Sequence, residues 1–97
     1  MDTTYYITLN IKTGNGHESF GKFCIGSDKT YAENIFKKLK GSNEVTERHI
    51  LHMDLVAMRN ELPLNVHMIS CTLDELTENC RTITCETFKL HNLEEIK

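Results

Sequence analysis

An order of hairpin, helix, hairpin and helix is the feature that most constrains the fold of this chain. Residues 5–39 give two alternating apolar stretches joined by a turn and followed by an amphipathic helical segment, and residues 50–90 repeat that order. A single ββα unit leaves much of its apolar surface uncovered, so two units in series indicate one shared sheet backed by two helices. The pattern predicts an α+β fold, with a four-stranded, mainly antiparallel sheet in ββαββα order and two helices packed on it.

The strand and helix signals behind this prediction are local and regular. In the first strand, apolar side chains recur at every second position: Tyr5, Ile7, Leu9 and Ile11. In the first helix, apolar side chains recur at helical spacing: Ala32, Ile35, Phe36 and Leu39. Thr72 and Glu75 match the capping box with which the second helix is expected to begin.

The length of 97 residues suits one domain. We expect the first ββα unit at about residues 4–41 and the second at about residues 48–92. The repeat is one of pattern, because few aligned residues of the two units are identical.

The composition of the chain bears on its partners and on its location in the cell. The formal net charge is −3, and no basic arm or stripe appears, the densest basic stretch being Lys37-Lys38 with Lys40, which disfavours nucleic acid as a partner. The chain begins without the features of a signal peptide and contains no long apolar run, so no membrane association and a cytoplasmic location are expected. In that compartment the four cysteines are expected to be reduced.

No catalytic motif stands out, and the sequence predicts neither an enzyme nor a bound cofactor. Gly14-Asn15-Gly16 lacks the further glycines and the following helix of a phosphate-binding loop, so it is interpreted as a turn. One alternative function is a metal or small-ligand site. If the third and fourth strands pair about a turn near residues 59–61, His52, His67 and Asp54 share one sheet face and offer two imidazoles and a carboxylate.

A second alternative is a sheet that binds single-stranded nucleic acid. It would use Tyr6 and Phe20 as stacking residues, with Lys12 and Lys22 nearby. The acidic balance of the chain opposes it.

The leading prediction concerns the sheet face that points away from the helices. If both helices pack on one face, the opposite face is too apolar to be fully hydrated, and such surfaces mark interfaces. The predicted interface residues are Tyr6, Phe20, Ile50, Val56 and Ile69. We therefore expect a small interaction protein that forms a homodimer or docks a protein partner. A helix on each face of the sheet would instead bury the same residues within a monomer.

Overall fold

The computed structural model describes residues 3–42 and 50–92, so the predicted start of the second unit at residue 48 lies outside the described residues. The elements follow the predicted order: β1 (Thr3–Thr13), β2 (Gly16–Gly26), α1 (Lys29–Lys37), β3 (Leu51–Arg59), β4 (Leu62–Cys71) and α2 (Leu73–Asn92). The α+β fold in ββαββα order is confirmed.

Both hairpins close through two-residue turns. The first turn is Gly14-Asn15, and the second is Asn60-Glu61, where φ is 52° and 65°. In the second turn, positive φ at both central residues gives a backbone twist that matches the twist of the flanking strands, which is why such turns suit two-residue hairpins. The turn between β3 and β4 therefore lies within the region that the sequence indicated.

The four strands form one antiparallel sheet in the order β2-β1-β3-β4. The two hairpins meet along β1 and β3, where Ile7 pairs with Leu55. This leaves β2 and β4, the second strand of each hairpin, at the two edges of the sheet.

Both helices lie on the same face of the sheet. One core cluster joins the central strand residues Ile7 and Leu55, each fully buried, to Ile35 of α1 and Ile83 of α2. A helix on each face, the alternative that would have covered both faces within a monomer, is therefore wrong. We call the face opposite the helices the outer face.

Side-chain caps fix the start of each helix. The Asp28 side chain accepts a hydrogen bond from the backbone N–H of Tyr31 at 3.1 Å, which satisfies one of the free amides of α1. At α2, the backbone N–H of Glu75 donates to Thr72 Oγ1 at 3.1 Å and the backbone N–H of Thr72 donates to Glu75 Oε1 at 2.9 Å. The predicted capping box is confirmed.

Each edge strand contains a β-bulge at the same place in its hairpin. Phe20 is the additional residue of β2 opposite Leu9 and Asn10, and Val66 is the additional residue of β4 opposite Leu55 and Val56. Each of these two residues lies four positions past the first residue of its strand. The repeat of the two ββα units therefore extends from the order of elements to this shared bulge, although β2 has a second bulge at Ile25, opposite Tyr5 and Tyr6, that β4 does not share.

Candidate functional site

The outer face is the candidate site, and strand pairing defines its residues. Across the order β2-β1-β3-β4, three successive rows of side chains lie on this face: Ser19, Asn10, His52, Ser70; Lys22, Thr8, Asp54, Met68; and Cys24, Tyr6, Val56, Asn65. Only Lys22 and Asp54 in these rows belong to the acidic or strongly basic residue types. We refer to the row that contains both as the central row.

Polar side chains on the two central strands are buried even though they lie on the outer face. The exposed fraction is 9% for Asn10, 2% for His52 and 7% for Asp54. Asn10 accepts a hydrogen bond from the Ser19 hydroxyl and donates from Nδ2 to Thr8 Oγ1 at 3.2 Å. The middle of this face is thus a buried polar region, and hydrogen bonding offsets the loss of hydration at Asn10.

A shallow cavity of about 230 Å³ opens on this face. Asp54 lines it, together with Thr8 and Asn10 of β1, so the carboxylate borders a space that is reached from the outer side. Lys22 and Tyr6 form part of its wall, and the Lys22 ammonium lies 4.7 Å from the centre of the Tyr6 ring. That distance allows a cation–π attraction, which orients the lysine over the face.

The predicted grouping of His52 and Asp54 with His67 is wrong. His67 pairs with Leu55, so it lies on the helix side of the sheet, whereas His52 and Asp54 lie on the outer face. Its ring stacks on Phe36 of α1 with ring centres 5.8 Å apart. Within residues 3–42 and 50–92, no group of three His, Cys, Asp or Glu side chains is placed to hold a metal ion.

The predicted interface residues divide into three groups. Tyr6 and Val56 lie on the outer face, and Val56 is 7% exposed. Phe20, in the β2 bulge, and Ile50, just before β3, are about half-exposed at 53% and 55%. Ile69 was placed wrongly, because it pairs with Met53 and belongs to the core on the helix side. The outer face is therefore less apolar than the sequence suggested.

Sequence reasoning missed the polar pair formed by Asn10 and Ser19. Asparagine is depleted in strands, so Asn10 within β1 was the available signal. What the sequence does not show is the β2 bulge next to Ser19, which brings Ser19 opposite Asn10.

The four cysteines are free thiols and form no disulfide. Burial, with a smaller contribution from the charge of Glu75, raises the pKa of the Cys71 thiol to about 11. Burial also raises the pKa of Cys80, while Cys24 and Cys85 are exposed. Raised pKa values keep the two more buried thiols protonated, which opposes nucleophilic or metal-ligating chemistry at neutral pH.

Comparisons with protein-family models, with curated proteins and with solved structures gave no match to this chain. Within the part of the chain that the structure describes, neither helix is long and apolar enough to cross a membrane.

Proposed function

We propose that this protein is a small interaction module that self-associates by packing its outer face against the outer face of a second copy. The observation that supports this proposal is the charge arrangement of the central row. Lys22 of β2 and Asp54 of β3 are a basic and an acidic residue that flank Thr8 of β1. A surface that holds one cation and one anion in a single row is complementary to itself, as a two-fold symmetric interface requires.

A two-fold axis along β1, passing above Thr8, makes this complementarity explicit. Such an axis places Lys22 of each copy opposite Asp54 of the other, giving two reciprocal ion pairs. Packed sheets lie about 10 Å apart. An extended lysine side chain and an aspartate pointing towards it together span a gap of that size. In the dimer, each Lys22 ammonium would leave the Tyr6 ring of its own copy and pair with the Asp54 carboxylate of the other copy.

The area of the outer face suits an interface between two copies. Four strands about 4.8 Å apart, over the nine residues of β3 at about 3.3 Å each, give a flat area of roughly 570 Å². This flat area is of the same order as the ~800 Å² per partner of a standard interface. Within the three rows, the low density of charge and the presence of Tyr6, Val56 and Met68 also suit the centre of an interface.

The edges of the sheet oppose association by strand addition, which favours packing through a face. Phe20 and Val66 form bulges in the two edge strands, and Pro63 removes a backbone donor from β4. Ser42 pairs with Ser70 and covers the end of β4, with backbone N–H to O distances of 2.9 Å in both directions. Bulges, prolines and covered ends are the devices by which sheets avoid pairing at their edges.

Sedimentation equilibrium with a charge-exchange series tests the proposal. Lys22→Glu places a carboxylate opposite each Asp54, and Asp54→Lys places an ammonium group opposite each Lys22, so each variant alone is expected to be monomeric. In an equimolar mixture the two variants restore both ion pairs, and a heterodimer is expected to form. Lys37→Glu on α1 is the matched control, because Lys37 is exposed on the other side of the molecule, and this variant is expected to dimerise like the natural chain.

A second measurement covers the risk that Asp54→Lys does not fold, since Asp54 is only 7% exposed. Carbodiimide treatment of the unmodified chain, mixed with its ¹⁵N-labelled form, is expected to join Lys22 of one copy to Asp54 of another by an amide bond. A chain that stays monomeric at the highest attainable concentration contradicts the proposal. A dimer that is indifferent to Lys22→Glu, and that gives no mixed-isotope cross-link between these residues, contradicts the charge pairing.

The other predictions made from the sequence stay predictions. A stacking role for Tyr6 in nucleic-acid binding would require a base to displace the Lys22 ammonium from its ring. The predicted cytoplasmic location and the prediction that the chain is not an enzyme are not needed for the proposal.

A further inference from the structure

A second surface, unrelated to the outer face, lies on the helix side of the sheet at the tip of the second hairpin. It is an open groove of about 560 Å³, which we call the hairpin groove. Its floor is formed by Tyr5, Ala57 and Val66, which pack against the main core. Its rim carries Leu62 and Leu64, which are 71% and 68% exposed, more than any other large apolar side chain in the described residues.

The position of the two leucines explains why the helices leave them uncovered. Leu64 pairs with Ala57 and lies on the helix side of the sheet. The first helix does not cover it, because α1 starts only at Lys29, which itself borders the groove. Two neighbouring leucines exposed above an apolar floor form the kind of continuous apolar patch that marks a binding site.

The charged residues of the hairpin groove are both basic. Lys29 and Arg59 line it and no acidic side chain does, although acidic residues outnumber basic ones in the chain by 14 to 11. The Arg59 Nε–H donates to Thr3 Oγ1 at 3.1 Å, which holds the guanidinium at the rim. A guanidinium has further N–H donors in a fixed fork that suits a carboxylate.

We propose that the hairpin groove binds a short peptide segment of another protein in which apolar side chains lie next to aspartate or glutamate. An open groove covers one side of its ligand only, which suits a peptide better than an enclosed small molecule. Pro63 and the bulge at Val66 obstruct pairing along β4, so recognition is by side chains: apolar residues on the floor and carboxylates at Lys29 and Arg59. This inference does not depend on self-association through the outer face.

Three synthetic peptides test the proposal when they are titrated into the ¹⁵N-labelled chain and followed by amide chemical shifts. One combines leucine with glutamate, the second replaces glutamate by lysine, and the third replaces leucine by serine. Only the leucine–glutamate peptide is expected to bind, with shifts centred on Leu62, Leu64 and Val66. Equal binding of the lysine peptide, shifts centred elsewhere, or no shift at millimolar peptide would overturn the proposal.

Variants of the chain then separate the contribution of charge to peptide binding from the contribution of apolar contact. Arg59→Glu and Leu64→Ser are each expected to weaken binding of the leucine–glutamate peptide about tenfold. Arg81→Glu makes the same change of charge on the exposed surface of α2 and is expected to leave binding unchanged. The amide spectrum of each variant reports directly whether it is folded. Equal losses for Arg59→Glu and Arg81→Glu would refute specific recognition at the groove.

Discussion

A single asparagine joins α2 to the segment that follows α1, and its replacement gives the sharpest test of how this fold is held together. Asn79 is 1% exposed. Its Oδ1 accepts a hydrogen bond from the backbone N–H of Lys40 at 2.7 Å, and its Nδ2 donates to the Lys40 carbonyl at 2.8 Å. The Asn79 side chain thus takes the place of a backbone partner for both the N–H and the C=O of Lys40. Lys40 lies two residues before Ser42, which forms a β-bridge with Ser70.

We expect Asn79→Ala to lower the free energy of unfolding by about 3 kcal/mol. Each of the two lost hydrogen bonds contributes about 1 kcal/mol net, and leaving the partly buried Lys40 groups without these partners adds roughly another 1 kcal/mol. For a domain of this size, a loss of that magnitude lowers the melting temperature by about 15 °C. Asn34→Ala on the exposed surface of α1 is the matched control and should change the free energy by less than about 0.5 kcal/mol.

Urea unfolding followed by circular dichroism measures this loss, and an unchanged slope against urea shows that the unfolding transition is still comparable. Hydrogen exchange adds a local readout, because the Lys40 amide should exchange much faster in Asn79→Ala than in Asn34→Ala. A loss below about 1 kcal/mol, or equal losses in the two variants, would refute the interpretation of these two hydrogen bonds as a structural link.

Three further predictions concern backbone packing, helix capping and pH. A Cβ on Gly41 would lie 2.6 Å from the Ser70 carbonyl oxygen, so Gly41→Ala should destabilise the chain by about 2 kcal/mol in urea unfolding, whereas Gly14→Ala, with open space around it, should not. Asp28→Ala should cost about 1 kcal/mol, because its carboxylate caps α1, and Asp28→Asn should retain most of that stability. The pKa of Cys71 is raised from 9.0 to about 11 in the folded chain, so the stability that its protonated form contributes should be lost between pH 9 and pH 11. Unfolding measured across that range should show a smaller decrease in Cys71→Ala, and an identical pH dependence in the two proteins would contradict the assignment.

The fold could be predicted from the sequence because its local signals agree with one another. The apolar stripe Ala32, Ile35 and Phe36 is buried as helical spacing requires, and the alternation in β1 places Ile7 and Leu9 in the core. Consistency of this kind between local pattern and tertiary packing is typical of sequences that specify one structure.

The sequence does not show which side chains of β4 face the helices, because apolar residues occur in both sets of alternating positions of that strand. Val66 and Met68 favoured one alternation, Ile69 and Cys71 the other, and the bulge at Val66 shifts the alternation within the strand. A shift of one residue moves every later side chain to the opposite face. His67 and Ile69 were both misplaced for this single reason, and the supposed metal site was lost with them.

The two ββα units differ in the charges that they place in the central row of the outer face. Aligning the hairpins at their turns makes Thr8 equivalent to Asp54, and these two residues pair across β1 and β3 at the centre of the sheet. The same alignment makes Lys22 equivalent to Met68. Core positions keep their apolar character between the halves, as at Leu9 and Leu55, because both halves pack against helices. The central row instead carries its cation in the first half and its anion in the second. Internal packing of a repeated unit gives no reason for that asymmetry, whereas the two-fold contact that we propose would use both charges.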